Sequence, residues 1–312
     1  MEPIVAQRIS KPVFQTSRNR QQNRDLTEPT QELMPDKPLV SVIVTTRNNH
    51  KTLDACLASI IGQTYQPIEL VVVDNNSSDG TRTIARYYTD KVYICGPERC
   101  AQRNFAVEKA DGEFVLIIDS DMELSPHIVQ DCVDVMHYRP NTKGVIIPEE
   151  SFGKGFWASC KRLERSFYTG SDAIEAARFF TRQTYREVGG YDESLVSGED
   201  WDLSTRVRSL GRIERVSSFI RHNEGKLKLV QSLRKKFYYA QKAKAYLRKQ
   251  TASQRMASGA GPISRYKMFL SRPKKLFRNP FLGVGMLVMK TFEFGFGALG
   301  YVFSKNKRGD EA

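Results

Sequence analysis

The stretch FVLIIDSDMEL, residues 114–124, decides how the chain folds. Five apolar residues from Phe114 to Ile118 are followed at once by Asp119 and Asp121, with a serine between the two acids. A run that is apolar at every position is typical of a strand buried on both faces of a parallel sheet. Two carboxylates separated by one residue cannot both turn inward from such a strand without a large desolvation cost. The pair therefore predicts a strand that ends at a polar edge of the sheet.

The segments before this stretch alternate between apolar runs and helical patterns. Apolar, β-branched runs at 39–46 and 68–74 predict two further buried strands, and 91–95 predicts a shorter one. This alternation predicts an α/β fold with a mostly parallel, Rossmann-like sheet flanked by helices. Ligands of such sheets bind beyond the carboxyl ends of the strands, so the polar residues that follow each strand should meet at one edge. The predicted helices are 52–63, 81–90 and 101–110.

The basic residues are concentrated in the C-terminal part of the chain. The 312 residues carry a net charge of +13, and residues 224–312 alone contain 20 Lys and Arg against 4 Asp and Glu. Residues 1–223 contain 28 Lys and Arg against 31 Asp and Glu. A near-neutral body with a basic extension predicts a catalytic or binding unit that meets a polyanion, either a membrane surface or a nucleic acid. We therefore expect a disordered leader at 1–37, a folded domain at 38–223 and a basic helical extension at 224–312.

Several familiar motifs are missing from the sequence. No GxGxxG follows the first strand and no GxxxxGK[ST] occurs anywhere, which argues against a dinucleotide-binding oxidoreductase and a P-loop NTPase. The five cysteines form no CxxC pair, which argues against a disulfide framework and a thiolate zinc site. Asp119 and Asp121 indicate a hard cation instead, since Mg²⁺ takes one or two carboxylates and completes its octahedron with substrate phosphates and water. The alternative is an exposed turn that carries two solvated acids.

Four blocks of sequence, in this order, resemble the family 2 glycosyltransferases of the GT-A fold. The resemblance covers about residues 38–223. It implies an enzyme that moves a sugar from a nucleotide-diphosphate sugar to a hydroxyl or phosphate of an acceptor, with inversion at the anomeric carbon and with bound Mg²⁺ or Mn²⁺. The four blocks are VSVIVTTRNN, ELVVVDNNSSDGT, RCAQRNFAVEKADGEFVLIIDSDM and GGYDESLVSGEDWDLSTRVRSLG.

The resemblance implies a nucleotide-binding role for residues near the first two strands and the third helix. Thr45 and Arg47 would lie beside the nucleotide. Asp74 would accept a hydrogen bond from its base, although Asp74 could also cap the following turn. Arg103 would face the nucleotide or its phosphates, and its alternative is a solvated helix charge. With Asp119, which would contact the ribose, these residues form the predicted nucleotide-sugar site.

The resemblance also implies a metal site and a catalytic base. Asp121 would ligate the divalent cation, Asp119 would contact the cation or its bound water, and His222 would be a further ligand unless it is a packing residue. Glu199 and Asp200 begin a predicted helix, where acids also suit the helix dipole. In similar enzymes such a pair faces the reaction centre. We predict Asp200 as the general base for the acceptor hydroxyl, with Glu199 as the second candidate.

The segment between the two halves of the site, 153–182, predicts a helical excursion over the acceptor side. Glu164, Arg165 and Arg178 are candidates for acceptor contacts, since an arginine fork binds phosphate oxygens bidentately. The aromatic residues of this segment are predicted to belong to the core rather than to stack on a sugar.

The C-terminal extension predicts contact with a membrane. Residues 226–250 have the pattern of a basic amphipathic helix, and 280–303 is apolar apart from Lys290 and Glu293, which could pair on one helix face. The apolar segment is long enough to span a bilayer, and it could also lie in the interface, form a re-entrant hairpin or pack on the catalytic domain. Basic flanks that suit the anionic lipid of a cytoplasmic leaflet lie at 272–278 and 305–308.

These features predict a protein at the cytoplasmic face of a membrane. Its partners would be a nucleotide-sugar donor, an acceptor glycan or polyprenyl-linked lipid, and the anionic membrane surface. A nucleotidyltransferase would also use Mg²⁺ on an α/β sheet, but residues 45–53, TTRNNHKTL, contain no glycine for its phosphate loop. A nucleic-acid-binding protein would use the basic extension, but it leaves both acidic motifs without a role. We therefore expect no nucleic-acid partner.

Overall fold

A seven-stranded sheet lies at the centre of the structure, a computed structural model that describes residues 37–249 and 261–304. Four neighbouring strands are parallel and match the predicted ones: β3 (Val92–Ile94), β2 (Ile68–Asp74), β1 (Val40–Thr46) and β4 (Phe114–Asp119). Every residue of β1 is buried, because helices cover both faces of the sheet. The carboxyl ends of β1, β2 and β4 therefore lie side by side, with Thr45 opposite Asp119 and Thr46 opposite Asp74.

The helices around this sheet confirm the predicted α/β alternation. Those between the parallel strands begin and end within two residues of their predicted bounds, because their apolar positions face the core. The helices described between residues 37 and 208 are α1 (Leu53–Ile61), α2 (Thr81–Tyr88), α3 (Arg99–Lys109), α4 (Ile128–Tyr138), α5 (Phe156–Ser166), α6 (Arg182–Glu187) and α7 (Glu199–Arg208).

The prediction of a helical excursion over 153–182 is wrong for part of that segment. Only α5 is a long helix there, and Ala177–Thr181 forms strand β8 of the central sheet. This strand runs antiparallel to β4 on one side and to β6 (Thr142–Ile146) on the other. Its aromatic residues are fully buried, as predicted, and aromatic side chains favour strands. The last strand of the sheet, β9 (Arg212–Arg215), pairs with the far side of β6.

A second, three-stranded sheet lies beyond the end of β4. Its order is β5 (Met122–Leu124), β10 (Ile220–Lys226) and β7 (Glu149–Lys154). In the antiparallel pairing of β10 with β5, His222 is opposite Met122. This register places His222 beside Asp121, although 101 positions separate them in the sequence.

The C-terminal helices pack on the domain rather than standing apart from it. The predicted amphipathic helix is α8 (Leu229–Lys249), and the shorter α9 (Pro262–Leu270) and α10 (Pro273–Leu276) follow the undescribed stretch 250–260. Helix α11 (Pro280–Val302) packs along α8 and also contacts α5. Because α11 is continuous, the re-entrant hairpin considered for 280–303 is wrong. Apart from Lys37, the predicted leader lies outside the described residues, as does the basic flank at 305–308.

Helix α11 buries its charged residues and exposes many of its apolar ones. Lys290 and Glu293 are 6% and 3% exposed and form the predicted ion pair, with Nζ 2.8 Å from Oε2. Phe281 and Phe292, by contrast, are 83% and 50% exposed. By length and hydropathy, α11 alone among the described helices could cross a bilayer, although buried helices of soluble proteins can meet the same criteria.

Candidate active site

A single buried arginine joins the two acidic motifs. Arg103, on α3, is fully buried and donates from Nη2 to Asp119 Oδ1 at 2.8 Å and from Nη1 to Asp200 Oδ1 at 2.9 Å. Its Nη1 is also 3.6 Å from Glu199 Oε1, and its guanidinium lies 4.8 Å from the centre of the Tyr191 ring. The end of β4 and the start of α7 therefore meet at one guanidinium group.

The buried charges of this cluster shift each other's pKa values. Burial opposes ionisation of Asp119, but Arg103 and two further arginines outweigh it and hold the pKa of Asp119 well below its usual range. Burial and the charge of Asp200 together raise the pKa of Glu199, which accepts a hydrogen bond from Arg99 Nη2 at 2.9 Å. Glu199 is thus a buried partner of arginines, and its neighbour on the helix, Asp200, is more accessible to a ligand in the cavity.

Asp200 presents one free oxygen to solvent. Its Oδ1 accepts from Arg103 and from the Tyr191 hydroxyl, both at 2.9 Å, while Oδ2 has no partner within the described parts of the chain. The side chain is 28% exposed. The residue before this helix pair, Gly198, has a φ of +84°, a left-handed conformation that favours glycine and turns the chain sharply into α7.

A cavity of about 360 Å³ lies directly over these groups. Asp119, Glu199 and Asp200 form part of its wall, together with His222. Arginines from three elements and aromatic residues complete the body of the cavity, and α8 closes one side with Lys235, Lys236 and Tyr239. The cavity is therefore polar, carries both signs of charge and is bounded partly by the C-terminal extension.

A partly buried acid that the sequence analysis missed, Glu149 on β7, binds two arginines of the cavity wall. Arg178 donates to its Oε1 from Nε and Nη2, at 3.0 and 2.8 Å, and Arg165 donates to its Oε2. Both arginines line the cavity, whereas Glu164 is buried elsewhere and binds Lys161 and Lys290. Glu149 is the first glutamate of an ordinary Pro-Glu-Glu sequence, so no local signal distinguishes it from the adjacent Glu150.

Asp121 and His222 form a pair next to the cavity. The imidazole Nε2 lies 3.5 Å from Asp121 Oδ2, and Nδ1 lies 3.5 Å from Glu149 Oε2. Burial lowers the pKa of His222, but the two carboxylates outweigh it and raise the pKa to about 9. Within residues 37–249 and 261–304, no three His, Cys, Asp or Glu side chains form a ready-made metal cluster.

This pair nevertheless fits the demands of Mg²⁺ or Mn²⁺. Such cations need one or two carboxylates from the protein and take their other ligands from water and substrate phosphates. The Asp121 carboxylate is 36% exposed. His222 would have to release its proton to the incoming cation, and it then offers an imidazole nitrogen, a ligand type that suits transition metals. Asp119 fits less well, since its two oxygens face Arg103 at 2.8 Å and Arg178 at 4.0 Å.

The predicted nucleotide-binding residues lie at the neighbouring strand ends. The Thr45 and Thr46 hydroxyls are buried without a hydrogen-bond partner among the described residues. Buried hydroxyls usually form hydrogen bonds, so both are available to a ligand at this edge of the sheet. Arg47 is exposed. Asp74 is fully buried and accepts from the Ser77 backbone N–H at 2.7 Å and from the Ser77 hydroxyl, so it fulfils the turn-capping alternative.

Comparisons with known proteins agree with this geometry. The model of "Glycosyl transferase family 2" matches residues 41–186. The chain is 34% identical over 97 residues, 28% of its length, to the GalNAc(5)-diNAcBac-PP-undecaprenol beta-1,3-glucosyltransferase of Campylobacter jejuni. It is 26% identical over 239 residues, 73% of its length, to glycosyltransferase GlyA of Streptococcus pneumoniae. These alignments span 31% and 32% of the two relatives.

A solved structure also has a similar fold. It is the mannosyltransferase PcManGT of Pyrobaculum calidifontis, solved in complex with GDP-Man and Mn²⁺. The TM-score is 0.57 at 17% sequence identity, and the alignment covers 87% of this chain and 89% of the other. This likeness extends through most of the described helices and strands and supports the GT-A architecture.

Proposed function

Because the chain contains a family 2 glycosyltransferase domain at residues 41–186, we propose that it transfers a sugar from a nucleotide-diphosphate sugar to an acceptor hydroxyl. One observation carries this proposal: Arg103 holds Asp119 and Asp200 together beneath one cavity. The donor would occupy the strand-end side of that cavity, near Thr45, Arg47 and Asp119. The acceptor would enter from the side formed by α5 and α8.

Asp200 is the proposed general base. Its free Oδ2 takes the proton from the acceptor hydroxyl while Arg103 and Tyr191 fix the orientation of the carboxylate. The acceptor oxygen forms a bond to the anomeric carbon as the bond from that carbon to the diphosphate breaks, and the electron pair leaves with the nucleoside diphosphate. A single displacement of this kind inverts the anomeric centre and needs no enzyme nucleophile.

A divalent cation is the proposed cofactor, and Asp121 and His222 would hold it. When bound, the cation neutralises charge that develops on the leaving diphosphate. The Mn²⁺ in the similar mannosyltransferase structure supports a cation for this chain without identifying it. Mn²⁺ should raise the thermal stability of the protein in the presence of a nucleoside diphosphate. Asp121→Asn should abolish that gain, whereas Glu123→Gln, two residues further along on β5, should keep it; an unchanged gain in Asp121→Asn contradicts the assignment.

The decisive experiment screens UDP- and GDP-sugars for release of nucleoside diphosphate in the presence of an acceptor extract. Asp200→Asn should lower transfer by about 10²–10⁴-fold, the usual contribution of a general base. Asp202→Asn is the matched control, because Asp202 lies in the same helical turn and binds Arg206 instead of the site. Transfer by Asp200→Asn within a few-fold of the unaltered protein would refute the proposed base.

The proposed acceptor is lipid-linked, and the protein works on a membrane surface. The relative from Campylobacter jejuni, by its name, acts on an undecaprenol-linked saccharide. On α11, Phe281, Val284, Val288 and Phe292 form a stripe at helical spacing, and each is 40% exposed or more. Exposed basic residues adjoin this stripe and complement anionic lipid: Arg272, Lys274 and Arg278.

Vesicle binding tests the membrane surface directly. The protein should sediment with phosphatidylglycerol vesicles, and replacement of Phe281 and Phe292 by serine should reduce the bound fraction strongly. Tyr87→Ser is the control, because Tyr87 is 85% exposed on α2, which is not part of the stripe. Equal vesicle binding by the phenylalanine variant and the control would show that the stripe on α11 does not contribute to membrane binding.

A further inference from the structure

A second groove, between α8 and α11, adjoins the cavity beside Asp200 and shares part of its lining. The groove has a volume of about 410 Å³, and both spaces are lined by Ser197, Lys236 and Tyr239. These three residues therefore stand where a polar reaction chamber meets the junction of the two long C-terminal helices. A molecule that reaches Asp200 past Lys236 can extend into the groove.

The groove beyond Lys236 is mostly apolar. Its walls are Ala240 and Ala243 of α8 and Phe294, Gly297 and Ala298 of α11. The single acid in its lining, Glu293, is already engaged by Lys290 and Ser232. Small side chains on both helices keep the space open, and a β-carbon added at Gly297 would meet no atom within 4 Å. The groove thus suits a hydrocarbon chain.

Lys236 stands at the entrance of the groove with an uncompensated charge. Next to it, Glu164 and Glu293 are shared by Lys161 and Lys290, at distances between 2.8 and 3.7 Å. Three lysines therefore face two glutamates, and Lys236 forms no ion pair or hydrogen bond with any described residue. Lys236 is exposed to solvent, and the positive charge of the nearby Lys161 lowers its pKa to about 8. An anion at this point would balance the charge.

We propose that this entrance and groove bind the phosphate and the hydrocarbon chain of a lipid-linked acceptor. The phosphate lies against Lys236, the chain follows the groove between α8 and α11, and the sugar end of the acceptor lies in the cavity at Asp200. The inference rests on the proposed function for the direction of the acceptor. The binding of an isoprenoid phosphate at this place is a separate statement that needs no sugar donor.

Calorimetric titration with farnesyl phosphate, without any nucleotide sugar, tests the site. Farnesol and inorganic phosphate are the two comparison ligands, since they carry the chain or the anion alone. Farnesyl phosphate should bind at least about tenfold more tightly than either. If inorganic phosphate binds as tightly as farnesyl phosphate, the site is an anion site and the groove has no role, which overturns the proposal.

Matched variants locate the bound probe. Gly297→Leu fills the groove and should weaken farnesyl phosphate binding at least about tenfold. Gly295→Leu is the control, because Gly295 is on the same helix, also has open space for a side chain and does not line the groove. Both changes replace a helix-interior glycine with a better helix former, so neither should unfold α11. Equal affinities in the two variants overturn the proposal.

The charge at the entrance is tested in the same way. Lys236→Gln should weaken farnesyl phosphate at least about fivefold and leave farnesol binding unchanged. Arg234→Gln removes one charge from an exposed position on the same helix and should change neither affinity. If both variants lose affinity equally, general electrostatic attraction explains the binding and the site is refuted. If sugar transfer never occurs but these differences hold, the proposed function fails and the isoprenoid phosphate site stands.

Discussion

Two clusters of charged side chains, one beneath the candidate active-site cavity and one where the C-terminal helices meet α5, differ in their balance of charge. In the first, Arg99 and Arg103 face the carboxylates of Asp119, Glu199 and Asp200, and Arg178 lies 4.0 Å from Asp119. Three arginines therefore offset three carboxylates. Asp200 Oδ2 still has no partner among the described residues, and a free carboxylate oxygen can accept a proton or attract a cation.

In the second cluster, Lys161, Lys236 and Lys290 face only Glu164 and Glu293. The surplus is one ammonium group, and it attracts an anion. The side chains differ in kind as well, because a planar guanidinium holds two carboxylates in fixed directions, whereas an ammonium group is a compact point charge. In the proposed function, the arginine cluster would therefore position the reacting groups, and the lysine cluster would bind the charge of the acceptor.

The largest expected effect comes from removing the centre of the first cluster. Arg103→Met leaves three acids close together without their shared partner, and breaking a buried ion pair in this way costs about 3–5 kcal/mol. Urea unfolding should show this loss, and sugar transfer should fall with it. Arg86→Met, on the exposed face of α2, should change the unfolding free energy by less than about 0.5 kcal/mol. A cost below that limit for Arg103→Met would mean that the cluster is not a structural unit.

The stability of the protein should be less sensitive to a single substitution in the second cluster, because its lysines share their glutamate partners. Lys290→Met should cost somewhat less than about 3–5 kcal/mol, since Lys161 remains 2.9 Å from Glu164 and 3.7 Å from Glu293. Adding Glu293→Leu to the Lys290→Met variant should restore much of the lost unfolding free energy. The second change removes the carboxylate that has lost its closer lysine partner. A double-mutant cycle measures this coupling. Strictly additive effects would contradict a shared cluster.

A smaller effect should come from Gly198, which links the two regions. A β-carbon there would lie 2.6 Å from the Tyr246 ring of α8, and φ is +84°. Gly198→Ala should therefore cost more than the roughly 1–2 kcal/mol of left-handed strain alone. Gly170→Ala is the control for strain, because Gly170 has φ +85° and open space around it. Equal decreases in melting temperature in the two variants would show that α8 moves away from the added methyl group at no measurable cost.

The smallest effect concerns pH. Lys236 has a pKa of about 8 in the folded protein, and an unfolded lysine has a pKa of about 10.4. Between these values the unfolded chain binds more protons, so the Lys236 contribution to the unfolding free energy should rise as pH increases. Lys161, Lys290, Glu164 and Glu293 face Lys236 and set this behaviour. The unfolding free energy of Lys236→Gln should depend less steeply on pH between pH 8 and 10 than that of the unaltered protein. An unchanged slope would contradict the lowered pKa of Lys236.

The sequence predicts the parallel part of the fold because that information is local. The apolar runs at 40–46, 68–74 and 114–119 form strands where expected, and Glu199 begins a helix as expected. In each of these segments one short window contains both the hydrophobic pattern and the polar residues that end it. The polar strand ends then converge because parallel strands share an edge.

The rest of the fold and of the candidate site depends on contacts between segments that are distant in the sequence. Strand β8 was predicted as helix, since five residues between a long helix and a turn carry little pattern of their own. Glu149 becomes the partner of Arg165 and Arg178 only through the packing of β7 against α5 and β8. The approach of α8 to Asp200 likewise follows from tertiary packing. The functional roles of all the predicted site residues stay predictions: Thr45, Arg47, Asp74, Arg103, Asp119, Asp121, Glu199, Asp200 and His222.

The way α11 distributes its side chains has a consequence for orientation. A helix that displayed hydrophobic groups all round could rest on lipid in any rotation about its axis. Here a quarter turn would carry the Lys290–Glu293 pair away from α5 and toward the hydrocarbon. On a bilayer, the rotation of this one helix about its axis would therefore fix the tilt of the whole protein and hold the opening of its cavity at a constant depth.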